Sequence, residues 1–242
     1  MTIQCRILKY EITIMPKFIE VLENIEHSLG RDICTCEHKI VVYLYDYGPS
    51  PARAIRPFCT GSTSKFFDAL SKLAACGVLE VIDEQAKIRI YRLANEIAEM
   101  IDRQMLDLND WFMSDSKDHT SSFSKEMRHS HDIVRNRFKS HTFYCDYQII
   151  RYLYEMKRLS SSELRDLCSW SSTIFYTSIE SIVEAGLVIK AHNPSDKRRV
   201  SYRLSRRTRK MLDADLGMFR SWYISKLNVA KLPVDMADRL VN

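Results

Sequence analysis

Twice along the chain the apolar positions change period in the same order. Around Ile40, Val41 and Leu44, and again around Ile149, Ile150 and Leu153, they fall at helical spacing. A shorter helix follows each time, with Ile55, Phe58 and Cys59 inward in the first instance and Leu164, Leu167 and Cys168 in the second. Hydroxyl-rich stretches come next, Gly61-Ser62-Thr63-Ser64 and Ser169-Trp170-Ser171-Ser172. Their side chains suit the unpaired N–H groups that open a helix. The helix so opened carries Phe66, Leu70 and Leu73, or Phe175, Ile179 and Ile182, at i, i+4, i+7. It stops at Gly77 or Gly186, where a left-handed backbone costs little. Strands are predicted over Val78 to Ile82 and Leu187 to Lys190, then over Lys87 to Leu93 and Arg199 to Leu204. The last of these alternates, Val200, Tyr202 and Leu204 on one side and Arg199, Ser201 and Arg203 on the other. A long helix closes each set, over 94–112 and 205–225, and a further helical stretch precedes each, Pro16 to Leu29 and Phe123 to Ser140.

The recurrence extends to residue identity. Tyr43-Leu44-Tyr45 returns as Tyr152-Leu153-Tyr154, and the same offset of 109 pairs Cys36 with Cys145, Arg56 with Arg165, Cys59 with Cys168, Ser62 with Ser171, Phe66 with Phe175 and Gly77 with Gly186. Beyond the glycines the offset is 111: Tyr91-Arg92-Leu93 matches Tyr202-Arg203-Leu204, Met100 matches Met211, and Trp111-Phe112 matches Trp222-Tyr223. Two residues inserted at a single place fit a surface loop between two strands. With two copies this is a domain duplication rather than a solenoid.

Helix, helix, helix, hairpin, helix is the order of a winged helix-turn-helix. The fold class expected is therefore mainly α with small β-hairpins (α+β), as two tandem winged helix-turn-helix domains plus flanking helices. Residues 1–113 form the first unit with its preceding helix and 114–242 the second, joined through the Ser-, Asp- and Lys-rich stretch Ser114 to Ser124.

Composition adds a direction. Hydrophobic residues at 45% and charged residues at 28% suit an ordinary globular protein. No run reaches the roughly 18 to 20 apolar residues that span a bilayer, and the start has no signal-peptide pattern, so no membrane association and a cytoplasmic location are expected. The net charge of +5 is unevenly spread: residues 1–121 hold 14 Lys+Arg against 18 Asp+Glu, and residues 122–242 hold 22 against 13. A polyanion would be drawn to the second half.

The second copy is also the better equipped for double-stranded DNA. In this architecture the third helix offers its first turns to the major groove and the hairpin follows the backbone. Ser171, Ser172, Thr173, Tyr176 and Thr177 lie opposite the Phe175, Ile179, Ile182 stripe, and hydroxyls can donate or accept toward phosphates and bases. The hairpin tip reads His192-Asn193-Pro194-Ser195-Asp196-Lys197-Arg198-Arg199, a turn followed by the three cations Lys197, Arg198 and Arg199. In copy one Asp68 stands where copy two has Thr177, and the hairpin tip Asp83-Glu84-Gln85-Ala86-Lys87 is shorter and mostly acidic. Copy one keeps core residues and loses grip.

Gly186-Leu187-Val188 followed by Asn193-Pro194-Ser195-Asp196-Lys197-Arg198 resembles the multiple-antibiotic-resistance-regulator (MarR) family over residues 144–212. The resemblance implies a DNA-binding transcriptional regulator, often dimeric and often released by a small aromatic effector. It makes Arg198 the arginine of the wing that enters the minor groove and Asp196 the residue that orders the wing. It also implies an effector pocket between the DNA-binding units and the terminal helices, with Tyr144, Tyr147 and Trp170 as candidates. Thr177 stands where the family often has arginine, and Leu204-Ser205-Arg206-Arg207-Thr208 lacks the family's glycine after the wing, replaced here by a basic stretch of Arg206, Arg207, Arg209 and Lys210. A fused pair imitating the two-fold dimer within one chain and a homodimer through the terminal helices both stay open.

Other chemistry is poorly represented. No nucleophile elbow, phosphate-cradling glycine loop or paired-carboxylate motif occurs, so no enzyme and no cofactor are expected. His129, His131, His141 and Cys145 lack a recurrent ligand spacing, so no metal is expected. The seven cysteines show no C-x-x-C spacing, Cys34-x-Cys36 has no evident cationic neighbour, and Cys59 and Cys168 fall at equivalent inward positions that suit packing. Two alternatives remain beside the regulator: a plasmid-type replication initiator, which also pairs winged helices, and a winged-helix protein-interaction module suited to the acidic first copy.

Overall fold

The computed structural model of the chain describes residues 17–82, 88–103, 136, 141–193, 196–215 and 217, with backbone alone at 193 and 196–199. These residues are mostly helical, with two small antiparallel sheets, an α+β fold. In the first half α1 (Phe18–Leu29) precedes α2 (Cys36–Tyr47), β1 (Ser50–Pro51), α3 (Ala52–Ile55) with a 3-10 turn at Arg56–Phe58, α4 (Thr63–Ala75), β2 (Leu79–Val81) and β3 (Ile90–Leu93). In the second half come α5 (Cys145–Met156), β4 (Leu159–Ser160), α6 (Ser161–Leu167), α7 (Ser172–Glu184), β5 (Val188–Asn193) and β6 (Asp196–Leu204). Residues 95–103 and 206–215 are helical as well.

The internal offset is physical. α2 and α5 have 12 residues each and α4 and α7 have 13 each, all starting 109 apart. Both halves arrange their strands alike, β1-β3-β2 and β4-β6-β5. Leu79 faces Leu93 across one hairpin as Val188 faces Leu204 across the other. Val78 N–H reaches Leu73 O at 2.9 Å and Leu187 N–H reaches Ile182 O at 3.0 Å, so the same turn leads from helix to strand twice. Gly77 and Gly186 both take φ of 70° within that turn. The two phenols Tyr45 and Tyr154 each donate 2.6 Å bonds to equivalent carboxylates, Asp102 and Asp213.

Each sheet has three strands, where the sequence predicts two-stranded hairpins. The third is the two-residue strand before the short helix: Ser50 pairs with Tyr91, and Leu159 with Tyr202. Two residues are too few to show a period, which is why the pattern passes over them. The distal part of the first hairpin, residues 83–87, and the predicted helical stretch from Phe123 to Ser140, save residue 136, lie outside the described residues, as do Ser114 to Ser124.

Two apolar clusters form the interior. One holds Ile40, Leu44, Ile55, Phe66, Leu70, Leu73, Val78 and Leu93 of the first half. The other holds Ile149, Leu153, Leu164, Phe175, Ile179, Ile182, Tyr202 and Leu212 of the second half together with Ile19, Val21, Leu22, Ile25 and Leu29 of α1. α1 thus joins the second half's core although it precedes the first. Burying an aliphatic side chain is worth about 1.5–3 kcal/mol, so five such residues bind α1 firmly.

Polar contacts fix the same junction. Glu26 of α1 accepts the backbone N–H groups of Ile33 and Cys34 at 2.9 and 3.3 Å and pairs with Lys39, a lysine only 1% exposed. Thr35 caps α2 and donates 2.6 Å to His141 O, while Cys34 and Phe143 form an antiparallel bridge. Arg31 reaches across the halves: Nη1 lies 3.3 Å from Asp146 Oδ2, and Nη2 donates to the carbonyl and hydroxyl of Ser181 at 3.1 and 2.9 Å.

Candidate nucleic-acid interface

α7 begins where Ser171 turns its hydroxyl back to accept the N–H of Ile174 at 3.4 Å. Phe175, Ile179 and Ile182 then face the core, at most 1% exposed. Because a helix repeats every 3.6 residues, the opposite side is left to Ser172, Thr173, Tyr176 and Thr177, all exposed, as is Ser171. Ile174 and Tyr176 are unusually open for apolar side chains, 42% and 49% exposed. Tyr176 is set edge-on to Phe175, ring centroids 5.2 Å apart, so its ring is braced although the residue is exposed. A braced aromatic of this kind loses little rotamer freedom on meeting a partner.

Arg165 joins this surface, a residue the sequence flags only as a repeat match. Its Nε and Nη2 donate to Ser172 Oγ at 3.1 and 2.7 Å. The serine oxygen is thereby filled as an acceptor, and its own proton is left to donate outward. A guanidinium beside a helix N-terminus adds full positive charge to the partial charge of the unpaired N–H groups, an arrangement that favours anions. In the first half the equivalent Arg56 turns away: it donates to Cys59 O and Gly61 O at 2.6 and 2.8 Å and covers Phe66.

The exposed side of α4 differs accordingly. Phe67, 48% exposed, takes the place of Tyr176, and Lys65 that of Ile174. Asp68 takes the place of Thr177 and accepts a 3.4 Å bond from Ser64. The carboxylate opposes an approaching phosphate, and among the described residues the Arg165 to Ser172 pair is not repeated, Arg56 being turned to Cys59 O and Gly61 O.

The second hairpin closes tightly, Asn193 opposite Asp196, with an irregularity in register at His192 and Asn193. Lys197, Arg198 and Arg199 belong to β6, and their side chains lie outside the described residues, as do Pro194 and Ser195. The basic stretch after β6 divides. Arg206, Arg207 and Lys210 are exposed, whereas Arg209 donates to Leu153 O and Tyr154 O at 3.2 and 3.1 Å and lies over the Tyr154 ring. Arg209 therefore closes the last turn of α5, where carbonyls lack helical partners.

A groove of about 580 Å³ opens between the halves. Gly61, Lys65, Asp68 and Lys72 line it from α4 and its approach, Cys36 and Glu37 from α2, and His141, Tyr144 and Trp170 from the second half. His141 and Trp170 stack with centroids 3.9 Å apart. Of the three aromatic residues proposed for an effector pocket, Tyr144 and Trp170 line this groove, and Tyr147 packs on Phe143 instead. The groove separates the two halves rather than a DNA-binding unit and a terminal helix.

Cys36 and Cys59 share a thiol–thiol hydrogen bond, and so do their counterparts Cys145 and Cys168. The bond from Cys59 draws the Cys36 pKa below its ordinary value, against burial and the Glu37 carboxylate, with Arg56 and Lys39 adding smaller pulls in the same direction. Lys39 is three positions on in α2, a cation that the Cys34-x-Cys36 spacing passes over, whereas Arg56 is brought by the fold. His129 and His131 lie outside the described residues, and among those described no group of three or more His, Cys, Asp or Glu is placed to hold a metal ion. No described helix is long and apolar enough to cross a membrane.

No protein-family model matches the chain, and no curated protein matches it. Among solved structures, the transcriptional regulator PA4135 aligns over 53% of this chain and 91% of its own at 16% identity and a TM-score of 0.32. A probable transcriptional regulator from Pseudomonas aeruginosa aligns over 52% and 92% at 17% identity and 0.29. Reduced AbfR bound to DNA aligns over 60% and 91% at 16% identity and 0.28. Likenesses this low fix neither fold nor function, and the reading below stands on the chain's own residues.

Proposed function

We propose that this protein is a transcriptional regulator that binds double-stranded DNA in a sequence-specific manner, built as two tandem winged helix-turn-helix units of MarR-like type. The second unit makes the main contact. α7 enters the major groove with Ser171, Ser172, Thr173, Tyr176 and Thr177, while Lys197, Arg198 and Arg199 of the hairpin meet the backbone and the minor groove. The observation that supports this most is the opening of α7, where exposed hydroxyls and the Arg165 guanidinium surround one helix N-terminus. Serine and threonine hydroxyls match the mixed donors and acceptors of a base edge, and the cation supplies the phosphate contact that sets register. The first unit, with Asp68 and an acidic hairpin tip, serves as the partner half of an intrachain pair held through α1 and Arg31.

A double variant, Lys197→Ala with Arg198→Ala, tests the assignment on the full chain. Each lost phosphate contact reduces the slope of log affinity against log salt by about 0.9, so a fall of about 2 is expected, with weaker binding to every duplex. Unchanged affinity and slope would remove the hairpin from the interface.

A further inference from the structure

Resting on the proposed function, we infer that α7 tells one base pair from another by the C5-methyl group of thymine, with the methyl groups of Thr173, Ile174 and Thr177 as the reading surface. Phe175, Ile179 and Ile182 point inward, which leaves these three residues on the outer side of the first two turns. All three are exposed, Ile174 at 42%. Thr173 and Thr177 stand one helical turn apart, about 5–6 Å, against a rise of about 3.4 Å per base along a strand. Their methyl groups therefore address neighbouring steps of one groove.

The internal duplication supplies a control. A single exposed isoleucine is ordinary on a protein surface. Here, however, the equivalent positions of α4 hold Ser64, Lys65 and Asp68, none of which carries a methyl group. α4 and α7 share their length, their serine cap and their buried stripe. The framework thus accepts polar and charged groups at all three places, and packing does not require the branched side chains of α7.

The other residues of α7 leave little else to choose a base with. Guanine is read by the paired donors of arginine or lysine, and adenine by the amide of asparagine or glutamine. α7 has none of these, its charges being Glu180 and Glu184. Arg165 turns Nε and Nη2 toward Ser172 Oγ, the edge of the guanidinium that would otherwise fork onto a base. Glu180 has the carboxylate that cytosine's amino group would meet, but it lies past the opening turns that a recognition helix presents. Serine and threonine hydroxyls bond to any of the bases, so they position the helix without selecting a sequence. The thymine methyl is the remaining distinguishing group in the major groove, and apolar contact is how it is read.

The test uses the full chain and a duplex that it selects from a random-sequence library, resynthesised with deoxyuridine in place of thymidine. That exchange removes the C5-methyl, keeps every base-pair hydrogen bond and leaves the protein untouched. Binding to the uracil duplex is expected to be about fourfold weaker for each contacted methyl. Thr173→Ser combined with Thr177→Ser keeps both hydroxyls and removes both methyl groups. This variant should bind the thymine duplex more weakly and discriminate less between the two duplexes, leaving the share that belongs to Ile174. Equal affinity of the original chain for both duplexes would overturn the inference and leave the regulator reading standing. So would a thymine-to-uracil ratio unchanged in the double variant, because the preference would then come from the shape of the duplex. If the chain bound no duplex in a salt-dependent manner, the proposed function would fall and this inference with it.

Discussion

Among the described residues other than glycine, Lys157 alone has a positive φ. It follows α5 at φ 65° and ψ −48°, while the equivalent position in the first half, Gly48, has φ 73° with no Cβ to clash. Lys157 centres a γ-turn closed by Arg158 N–H on Met156 O at 2.7 Å, and so sparsely populated a backbone costs a non-glycine residue about 1–3 kcal/mol, part of which glycine gives back through the freedom of the unfolded chain. Lys157→Gly is accordingly expected to stabilise the fold by about 0.5–1 kcal/mol, read as a higher urea midpoint with unchanged slope. A lower midpoint would mean that Lys157 contributes a contact greater than its strain.

His38 sets a second expectation at the same scale. Its Nδ1 is shielded without a hydrogen-bond partner, its ring meets Phe143 at 5.8 Å, and burial pulls its pKa from 6.5 down to about 4. The unfolded chain takes up this proton at higher pH than the folded one. The neutral histidine thus costs nothing above about pH 6.5, and stability falls as pH drops from there to about 4. In His38→Leu that component is absent, so urea midpoints of the variant should decline less over this window than those of the original chain. Parallel curves would place the proton elsewhere.

Among the elements, the paired helices α4 and α7 show what a duplicated framework keeps and what it releases. Both open on serines whose hydroxyls accept the N–H three residues on, Ser62 from Lys65 at 3.3 Å and Ser171 from Ile174 at 3.4 Å. Replacing an N-cap serine by alanine costs about 1 kcal/mol. Ser62→Ala and Ser171→Ala should therefore lower stability by similar amounts, measured by denaturant unfolding, whereas the proposed function predicts that only Ser171→Ala also weakens DNA binding. Equal losses of affinity in both variants would give α4 a share of the interface.

Much at this scale was legible in the sequence, because helices of 12 and 13 residues carry apolar stripes long enough to show a period. The spacing of Phe175, Ile179 and Ile182 alone assigned the sides of α7. What escaped has physical reasons. β1 and β4 are too short for a pattern, and the Arg165 to Ser172 contact depends on a side chain reaching from one helix to the next. Arg209 looked like part of a basic surface because sequence does not reveal that the carbonyls of Leu153 and Tyr154 wait for it.

At the scale of the whole molecule, the junction between the halves is the part least visible in sequence, since its contacts join distant residues. Arg31 is the clearest instance: it donates to Ser181, 150 positions away, and pairs with Asp146, both contacts partly buried. Hydrogen bonds made by charged groups contribute about 1.5–3 kcal/mol. Arg31→Ala should lower stability by about 2 kcal/mol and speed amide exchange at the C-terminal turn of α7, with α4 little changed. Uniformly faster exchange would indicate general loosening instead of a local tie.

The adoption of α1 by the second half also bears on how the chain acquires its shape during synthesis. Ile19 through Leu29 leave the ribosome early, yet the cluster that shelters them also includes Leu212. α1 can meet α2 as soon as the first half is made, through Asp46 and Lys39, but the rest of the cover over its stripe arrives only with the second half, and closing so large a loop is slow. The nascent first half is thus the species that chaperones would be expected to hold, and its release waits on the helix that carries Leu212.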